Sequence, residues 1–334
     1  MTYMTSIKNQ SEQIICLRPE TDFIEFDAIA PSRFDVTYLK PDDPDLLIRA
    51  EKAKAMIIPA VGPKIQNEIF EKTAIKMVQV TGAGIDRIDT QFCERNQIAV
   101  CNVQGGSAFA VAEYCLGSVI TLSRQLHLGN KGVQMGEYSA IRQTMLNKRM
   151  VSLQNQHVGI IGFGSIGRET ARLFHLMGCQ ISCFDMFPPN IKEADKIKAN
   201  ICDLPMLLEQ CDIISLHVPL TDQTKNLISE AEINMMKPTS LLVNAARGGV
   251  VDESALASAL EDGRINGAVI DVYSDEPAAS NNPLLNLSAA AQERVFYSPH
   301  IAGITKQSWT DLFQKSWANL ERYFDKNLLN YKQV

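Results

Sequence analysis

The first hundred residues alternate short apolar runs with polar stretches of helical character. The apolar runs predict strands at Ile14–Leu17, Val36–Leu39, Ala55–Pro59, Met77–Thr81 and Ala99–Asn102, and the polar stretches predict helices at Lys64–Lys72 and Arg87–Arg95. Strands that alternate with helices are typical of a parallel sheet. We therefore predict a small α/β unit in this part of the chain.

The same alternation resumes in the second half of the chain. Strands are predicted at 158–161, 180–184, 212–217, 240–244, 267–271 and 295–298, with helices between them such as Ile166–Met177 and Glu253–Glu261. Six strands with intervening helices predict a doubly wound sheet. The apolar segment from Phe109 to Leu126 predicts a long buried helix, and the segment from Thr305 to Leu329 predicts a final amphipathic helix.

A glycine-rich stretch follows the strand predicted at 158–161. Gly162, Gly164 and Gly167 have the spacing Gly-x-Gly-x-x-Gly, and Asp185 ends a second apolar run further along. The first glycine permits a tight turn, the second lets the backbone approach a pyrophosphate, and the third lets helix pack on strand. The N-terminus of the helix adds N–H groups and the positive end of its dipole. This combination predicts a dinucleotide-binding loop rather than an ordinary glycine-rich turn.

Asp185 also bears on the choice of cofactor. A carboxylate at this position accepts hydrogen bonds from the ribose hydroxyls and repels a 2′-phosphate. No Arg or Lys follows Asp185 before Lys192. We therefore predict NAD rather than NADP; the alternative is a surface aspartate at the end of a strand.

Composition narrows the class of protein. A chain of 334 residues is long enough for two domains, and its net charge of −6 provides no positive field for nucleic acid or an anionic membrane. No apolar run reaches the roughly 18 residues that a membrane span needs, and Met1–Gln13 lacks a signal-peptide core. The eight cysteines are scattered without a metal-binding pattern, so we expect reduced thiols, no metal and a cytoplasmic protein.

Three predicted strands end next to side chains suited to acid–base chemistry. Arg247 can bind a carboxylate in a bidentate geometry, although a structural arginine paired with a helix C-terminus is the alternative. Asp271 is placed to bind a nicotinamide carboxamide, and Glu276 to pair with a histidine unless it is a solvated loop residue. His300 has small neighbours and a side chain that exchanges protons near neutral pH. His217 fits the lining of a cofactor pocket better than a chemical role.

Several motifs occur together in one order along nearly the whole chain. They are Val80-Thr-Gly-Ala-Gly-Ile-Asp-Arg-Ile-Asp89, Val111-Ala-Glu-Tyr114, the glycine-rich stretch, His217-Val-Pro-Leu-Thr221, Asn244-Ala-Ala-Arg-Gly248, Asp271-Val-Tyr-Ser-Asp-Glu-Pro277 and Ser298-Pro-His-Ile-Ala-Gly303. In these motifs the chain resembles the NAD-dependent D-isomer-specific 2-hydroxyacid dehydrogenases, which include phosphoglycerate dehydrogenase and glyoxylate/hydroxypyruvate reductase. The ordered set is far more specific than any single motif.

The resemblance implies a role for each matching residue. Arg247 would bind the substrate's carboxylate and keto oxygen, His300 would be the proton donor in reduction and the base in oxidation, and Glu276 would hold its imidazolium. The backbone N–H groups of Ala83 and Gly84 would bind the substrate carboxylate. The predicted cofactor contacts are Gly162, Gly164, Ser165, Ile166, Gly167, Asp185, His217, Val218, Pro219, Thr224, Ala245, Ala246, Arg247, Asp271, His300 and Gly303.

The resemblance also implies a domain organisation. A flavodoxin-like substrate-binding domain would comprise residues 1–105 and 299–334, and a Rossmann NAD-binding domain, residues 106–298, would be inserted into it. Both would be doubly wound α/β domains with parallel sheets, and catalysis would occur in the cleft between them. Residues 106–150 would join two chains in a homodimer. The implied partners are NAD and a small 2-hydroxy or 2-keto acid, with no nucleic acid or membrane.

Two other functions share this fold. A dinucleotide-sensing, corepressor-like binding protein would keep the same residues and act by binding partners, and oxidation of formate or phosphite is a further alternative. Ile58–Pro63 lacks the Arg-Ser pair typical of phosphoglycerate binding, which argues against a phosphorylated substrate. The Arg247, Glu276 and His300 set favours the dehydrogenase.

Overall fold

The computed structural model describes residues 11–148, 150–330 and 332–334, and it divides the chain into two compact units. The first unit contains the described residues up to Ser107 and those from Thr305 onward, and the second is Ala108–Ile304. The sequence predicted these boundaries at 105/106 and 298/299. The segment 299–304, which includes His300, belongs to the second unit. The prediction that Met1–Gln13 lacks a signal-peptide core concerns mainly residues 1–10, which lie outside the described ranges.

The first unit contains a sheet of five parallel strands. These are β1 (Glu12–Cys16), β2 (Phe34–Tyr38), β3 (Ala55–Pro59), β4 (Met77–Thr81) and β5 (Ala99–Cys101). The helices are α1 (Glu20–Glu25), α2 (Leu46–Ala50), α3 (Glu68–Glu71), α4 (Thr90–Arg95) and, at the end of the chain, α14 (Lys306–Phe324). The strand order β2-β1-β3-β4-β5 is the flavodoxin-like order.

Both faces of this sheet are buried. Ile14 packs in one cluster with Phe313 and Trp317 of α14, whereas the next residue, Ile15, packs in the other cluster with Ile69 of α3. Parallel strands covered on both faces are apolar at consecutive positions. This is why short continuous apolar runs predicted the five strands to within a few residues.

The second unit contains a sheet of seven parallel strands. These are β6 (His157–Ile161), β7 (Gln180–Phe184), β8 (Asn200–Ile201), β9 (Ile213–Leu216), β10 (Leu241–Asn244), β11 (Gly267–Ile270) and β12 (Val295–Tyr297). The order is β12-β11-β10-β9-β6-β7-β8, the doubly wound dinucleotide-binding order with one strand added at an edge. Six of the seven strands were predicted. The two residues of β8 are exposed, so no apolar run marks them.

The second unit also contains most of the helices. They are α5 (Ala108–Ser123), α6 (Leu126–Gln134), α7 (Tyr138–Asn147), α8 (Ser165–Leu176), α9 (Ile191–Lys196), α10 (Leu204–Gln210), α11 (Glu230–Met235), α12 (Glu253–Glu261), a 3₁₀ turn at Pro283–Leu285 and α13 (Ala289–Gln292). The predicted helix Phe109–Leu126 was too long. Gln125 adopts a left-handed conformation with φ of 49°, which ends the first helix and precedes the second.

The α/β class with two parallel sheets is therefore confirmed. In the second unit the strand order reverses between β6 and β9, which are neighbours. Ligands of open parallel sheets bind beyond the carboxyl ends of the strands at such a reversal. Among the described residues, no helix has the length and apolarity needed to cross a membrane.

Candidate active site

Two of the three loop glycines are required by the protein's own packing. A Cβ on Gly162, whose φ is +95°, would lie 2.6 Å from the carbonyl oxygen of His217, on the other side of the strand-order reversal. A Cβ on Gly167 would lie 1.9 Å from the carbonyl oxygen of Gly162. Any side chain at either position would clash with backbone. These glycines let β6, β9 and α8 approach one another closely.

Gly164 differs from its two neighbours. Its φ of −72° suits any residue, and apart from its chain neighbours no atom of the described residues lies within 4 Å of a Cβ placed on it. The packing of the described residues therefore does not require glycine there. Gly164 is the N-cap of α8, a helix of 12 residues whose first turn contains Ser165 and Ile166. A glycine that leaves open space before a helix N-terminus fits a pyrophosphate that contacts the backbone.

Asp185 lies beside the glycine loop. One carboxylate oxygen accepts a hydrogen bond from the Phe163 N–H at 2.7 Å, and the other accepts one from the Phe187 N–H at 3.1 Å. These two backbone donors fix the orientation of the carboxylate. Because each carboxylate oxygen accepts more than one hydrogen bond, Asp185 retains acceptor capacity for ribose hydroxyls. The loop and Asp185 together therefore fit a dinucleotide.

Side chains after β9 form the other side of this region. The imidazole Nε2 of His217 lies 2.9 Å from the Ser215 hydroxyl, and burial lowers the pKa of His217 to about 3. His217 is therefore neutral at physiological pH. Thr224 is buried, and its hydroxyl donates to the Pro219 carbonyl at 2.6 Å, so it fixes the turn after β9. Its predicted contact with the cofactor stays a prediction.

Three adjacent strands bring the predicted acid–base residues onto neighbouring loops. Arg247, Glu276 and His300 follow β10, β11 and β12, which are consecutive in the sheet and end at the same edge. The imidazole Nδ1 of His300 lies 2.7 Å from Glu276 Oε2. Glu276 Oε1 accepts the Tyr273 N–H at 3.1 Å, which orients the carboxylate toward the imidazole.

The surroundings of Glu276 keep it ionised. Burial alone raises the pKa of Glu276, but the hydrogen bond and charge of His300, with the Tyr273 N–H and the charge of Arg247, lower it below its ordinary value. The loops of Arg247 and Glu276 are also in contact, since a Cβ on Gly248 would lie 1.9 Å from the Tyr273 carbonyl oxygen. His300 and Glu276, which the sequence predicted to pair, are thus in contact. The loop of the cation Arg247 touches the loop of Glu276.

Asp271 holds the turn that carries His300. Its carbonyl oxygen accepts the His300 N–H at 2.7 Å, and its fully buried carboxylate accepts the N–H groups of Ile301 at 2.8 Å and Ala302 at 2.9 Å. His300 has φ of 55°. A non-glycine residue in this region costs about 1–3 kcal/mol unless its surroundings hold it. The predicted nicotinamide contact of Asp271 stays a prediction.

Three supporting residues were not assigned roles from the sequence. The hydroxyl of Ser298 donates to Asp271 Oδ1 at 2.5 Å and lies 2.5 Å from the Tyr114 hydroxyl on α5. Asn244 accepts the Ala246 N–H and donates to the Arg247 carbonyl, each at 3.2 Å. Both Ser298 and Asn244 are buried polar residues at the ends of strands. Their position at a strand end within a matched motif is the signal that could have identified them.

The remaining predicted residues lie in both units. In the second unit Val218 and Ala246 are buried, Ala245 and Gly303 are half-buried, and Pro219 is exposed. In the first unit Ala83 and Gly84 follow β4 and are half-buried, and the Ala83 carbonyl accepts the Asn102 side-chain amide at 2.6 Å. The predicted binding of a substrate carboxylate by Ala83 and Gly84 stays a prediction.

Comparison with known proteins shows which family the chain is similar to. Residues 116–302 match the family described as D-isomer specific 2-hydroxyacid dehydrogenase, NAD binding domain. The chain is 36% identical over 276 residues to the (S)-sulfolactate dehydrogenase of Chromohalobacter salexigens, covering 82% of this chain and 85% of that protein. It is 30% identical over 280 residues to the glycerate dehydrogenase of Methylorubrum extorquens, covering 84% and 85%.

A solved structure has the same fold. The apo form of D-mandelate dehydrogenase from Rhodotorula graminis superposes with a TM-score of 0.81 at 22% sequence identity, covering 97% of this chain and 98% of that chain. At this level of identity the match shows the fold alone.

Proposed function

We propose that this chain, which belongs to the D-isomer specific 2-hydroxyacid dehydrogenase family, interconverts a small D-2-hydroxy acid and its 2-keto acid with His300 as the acid–base group. As a 2-hydroxyacid dehydrogenase it is an oxidoreductase that acts on the hydroxyl group at C2 of its substrate. The observation that carries the proposal is the 2.7 Å contact between His300 Nδ1 and the Glu276 carboxylate, on the loop adjacent to that of Arg247.

The proposed chemistry assigns one task to each side chain. When bound, the dinucleotide supplies the hydride that reaches the substrate's C2. Because Nδ1 of His300 faces Glu276, its Nε2 is the nitrogen that donates a proton to the carbonyl oxygen. Glu276 stabilises the protonated imidazole, and Arg247 binds the carboxylate and the developing oxyanion. A donor aimed at such an oxyanion contributes about 3–4 kcal/mol. In the oxidative direction the neutral imidazole accepts the proton.

We further propose that the dinucleotide is NAD. The carboxylate of Asp185 is oriented by the N–H groups of Phe163 and Phe187 and keeps acceptor capacity for the two ribose hydroxyls. A 2′-phosphate would instead meet a negative charge at this point. Ser165 and Ile166 would present backbone N–H groups to the pyrophosphate from the first turn of α8.

Steady-state kinetics test the proposal. NADH consumption is measured with glyoxylate, hydroxypyruvate and pyruvate, and NAD reduction with glycerate and sulfolactate. We expect turnover of at least one acid, with kcat/KM higher for NADH than for NADPH. His300→Ala should lower kcat by about 10²–10⁴-fold because the proton donor is lost, with little change in the KM for NADH.

A second histidine provides the matched control. His175 lies in the last turn of α8, at the opposite end of that helix from the carboxyl edge of the sheet, and His175→Ala should retain wild-type turnover. Wild-type turnover in His300→Ala would remove His300 from its proposed role. Failure to reduce any keto acid while NADH still binds would overturn the enzymatic proposal and support the dinucleotide-sensing alternative.

A further inference from the structure

The first unit contains a buried arginine whose guanidinium is bound to a neighbouring loop. Arg87 follows β4 and is 3% exposed. Its Nε donates to the Pro63 carbonyl at 2.8 Å, and its Nη1 donates to the Pro59 carbonyl at 2.7 Å. The two acceptors lie at either end of a tight loop after β3. We call residues 59–65 the β3 loop and residues 82–89 the β4 segment.

The β3 loop and the β4 segment are joined by further contacts. The Ile65 N–H donates to the Arg87 carbonyl at 2.9 Å, and just beyond the loop the Asn67 amide donates to the Asp89 carboxylate at 3.1 Å. At the other end, a Cβ on Gly82 would lie 2.6 Å from the Cβ of Ala60. The backbone of the β4 segment therefore approaches the loop too closely for a side chain at position 82.

The guanidinium also packs against the turn of the β3 loop. Gly62 has φ of +123°, and a Cβ on it would lie 3.3 Å from Cζ of Arg87. Any other residue at position 62 would be strained and would press on the guanidinium. Arg87 and Gly62 thus form one arrangement, in which a planar cation fills the space under a turn that only glycine makes easily.

Stability alone does not explain an arginine at this position. Burial lowers the pKa of Arg87, and its third nitrogen, Nη2, is buried without a hydrogen-bond partner among the described residues. An apolar side chain of similar volume avoids this desolvation cost. What the arginine provides is geometry, since a planar guanidinium donates to two separated carbonyls in fixed directions.

We propose that Arg87 is a positioning residue that holds the β3 loop against the β4 segment and so sets which 2-keto acids this enzyme accepts. The inference rests on the proposed function, in which Ala83 and Gly84 of the β4 segment bind the substrate carboxylate. β3 and β4 are neighbouring strands, so both segments lie at the carboxyl edge of the sheet. The carboxylate meets the β4 segment, and the C3 substituent meets the β3 loop, where Val61 is 46% exposed.

The test compares keto acids that differ in the size of the C3 substituent. Arg87→Met keeps the length of the side chain and removes both donors. We expect kcat/KM to fall about 10²-fold for an acid with a large substituent, since a misplacement near 1 Å has effects of that size. This fall in kcat/KM should come from a higher KM for the acid. Glyoxylate has no C3 and so does not depend on the position of the β3 loop, and its kcat/KM should change by no more than about threefold. The KM for NADH should also change by no more than about threefold.

Two further variants separate positioning from a general loss of structure. Arg87→Lys retains a cation that reaches only one of the two carbonyls, so its effect on the large acid should be intermediate. Gly62→Ala strains the same turn from the other side and should reproduce the dependence on substituent size. If Arg87→Met does not fold, Gly62→Ala takes its place as the test variant. Arg95→Met, on the exposed face of α4, is the matched control and should match wild type.

The outcomes distinguish this inference from the proposed function. Equal losses for glyoxylate and the large acid, or an equal rise in the KM for NADH, would overturn the positioning role of Arg87. Wild-type kinetics in both Arg87→Met and Gly62→Ala would overturn it as well. A wild-type enzyme that reduces no keto acid would instead overturn the proposed function, and this inference with it.

Discussion

Glu276 is a carboxylate at neutral pH because His300, the Tyr273 N–H and Arg247 outweigh the effect of its partial burial. The carboxylate of Glu276 lies 2.7 Å from Nδ1 of His300 and so fixes the orientation of the imidazole that we propose as proton donor. The protonated form is the one that reduction of a keto acid requires. The pH range of reduction should therefore depend on the charge of Glu276, not only on its hydrogen bond.

Glu276→Gln tests this dependence on charge. The amide keeps a hydrogen-bond acceptor but neither carries a charge nor titrates. The acidic limb of the kcat/KM profile that comes from protonation of Glu276, whose pKa lies below its ordinary value, should therefore be absent, and kcat/KM should be lower near neutral pH. The measurement is kcat/KM for a keto acid across the pH range. Asp275→Asn removes the same charge from an exposed neighbour and should leave the profile unchanged. Superimposable profiles for Glu276→Gln and wild type would contradict the proposed pair.

At the level of elements, the three glycines of the loop between β6 and α8 differ in their surroundings. Gly162 and Gly167 are required because a Cβ would meet backbone atoms. Apart from its chain neighbours, no atom of the described residues lies within 4 Å of a Cβ on Gly164. We therefore predict that glycine at position 164 serves the binding of a pyrophosphate and not the packing of the protein.

Alanine substitutions separate these two functions. Gly164→Ala should lower the Tm by no more than a few degrees, because its φ of −72° is ordinary and only the glycine N-cap is lost. It should weaken NADH binding about tenfold or more because the Cβ enters the space before the helix. Gly167→Ala should lower stability by about 1–3 kcal/mol or more, since its Cβ would meet the Gly162 carbonyl. Thermal unfolding measures the stability of the two variants, and NADH fluorescence titration measures their affinity for NADH. Unchanged NADH affinity in Gly164→Ala would exclude the pyrophosphate assignment.

At the level of the whole molecule, the segment from α5 to α7 exposes several large apolar side chains. Phe109, Leu126, Val133, Met135, Tyr138 and Leu146 are each between 47% and 63% exposed. Clustered exposed apolar residues mark interaction surfaces more often than isolated ones. These residues lie in the stretch 106–150, which the family resemblance assigns to a homodimer, and we keep that assignment as a prediction.

Sedimentation velocity tests the homodimer. Wild type should sediment as a dimer at micromolar concentration, and the double variant Val133→Glu, Leu146→Glu should shift toward monomer because it buries two charges in the interface. Ile48→Glu changes an equally apolar, exposed residue on α2 of the first unit and should remain dimeric. A monomeric wild type, or a double variant that sediments like wild type, would refute an interface through residues 106–150.

Much of this fold was predictable because burial on both faces of a parallel sheet leaves apolar runs in the sequence. All five strands of the first unit and six of the seven in the second followed from those runs. β8 did not, because its two residues are exposed, and the end of α5 did not, because Gln125 is no usual helix breaker. The candidate acid–base residues were singled out by chemical type at strand ends, and their roles stay predictions.

The sequence by itself therefore determined the α/β class. It also singled out the glycine loop with Asp185 and the candidates Arg247, Glu276 and His300, whose predicted roles rest on residue type at strand ends and on the family resemblance. Only the tertiary structure decided how these parts are held. Strand order makes β10, β11 and β12 neighbours, the carboxylate of Asp271 holds the left-handed turn at His300, and Arg87 binds the carbonyls of the β3 loop. These contacts join residues that are distant along the chain. The local sequence pattern does not predict which distant backbone groups a side chain will contact.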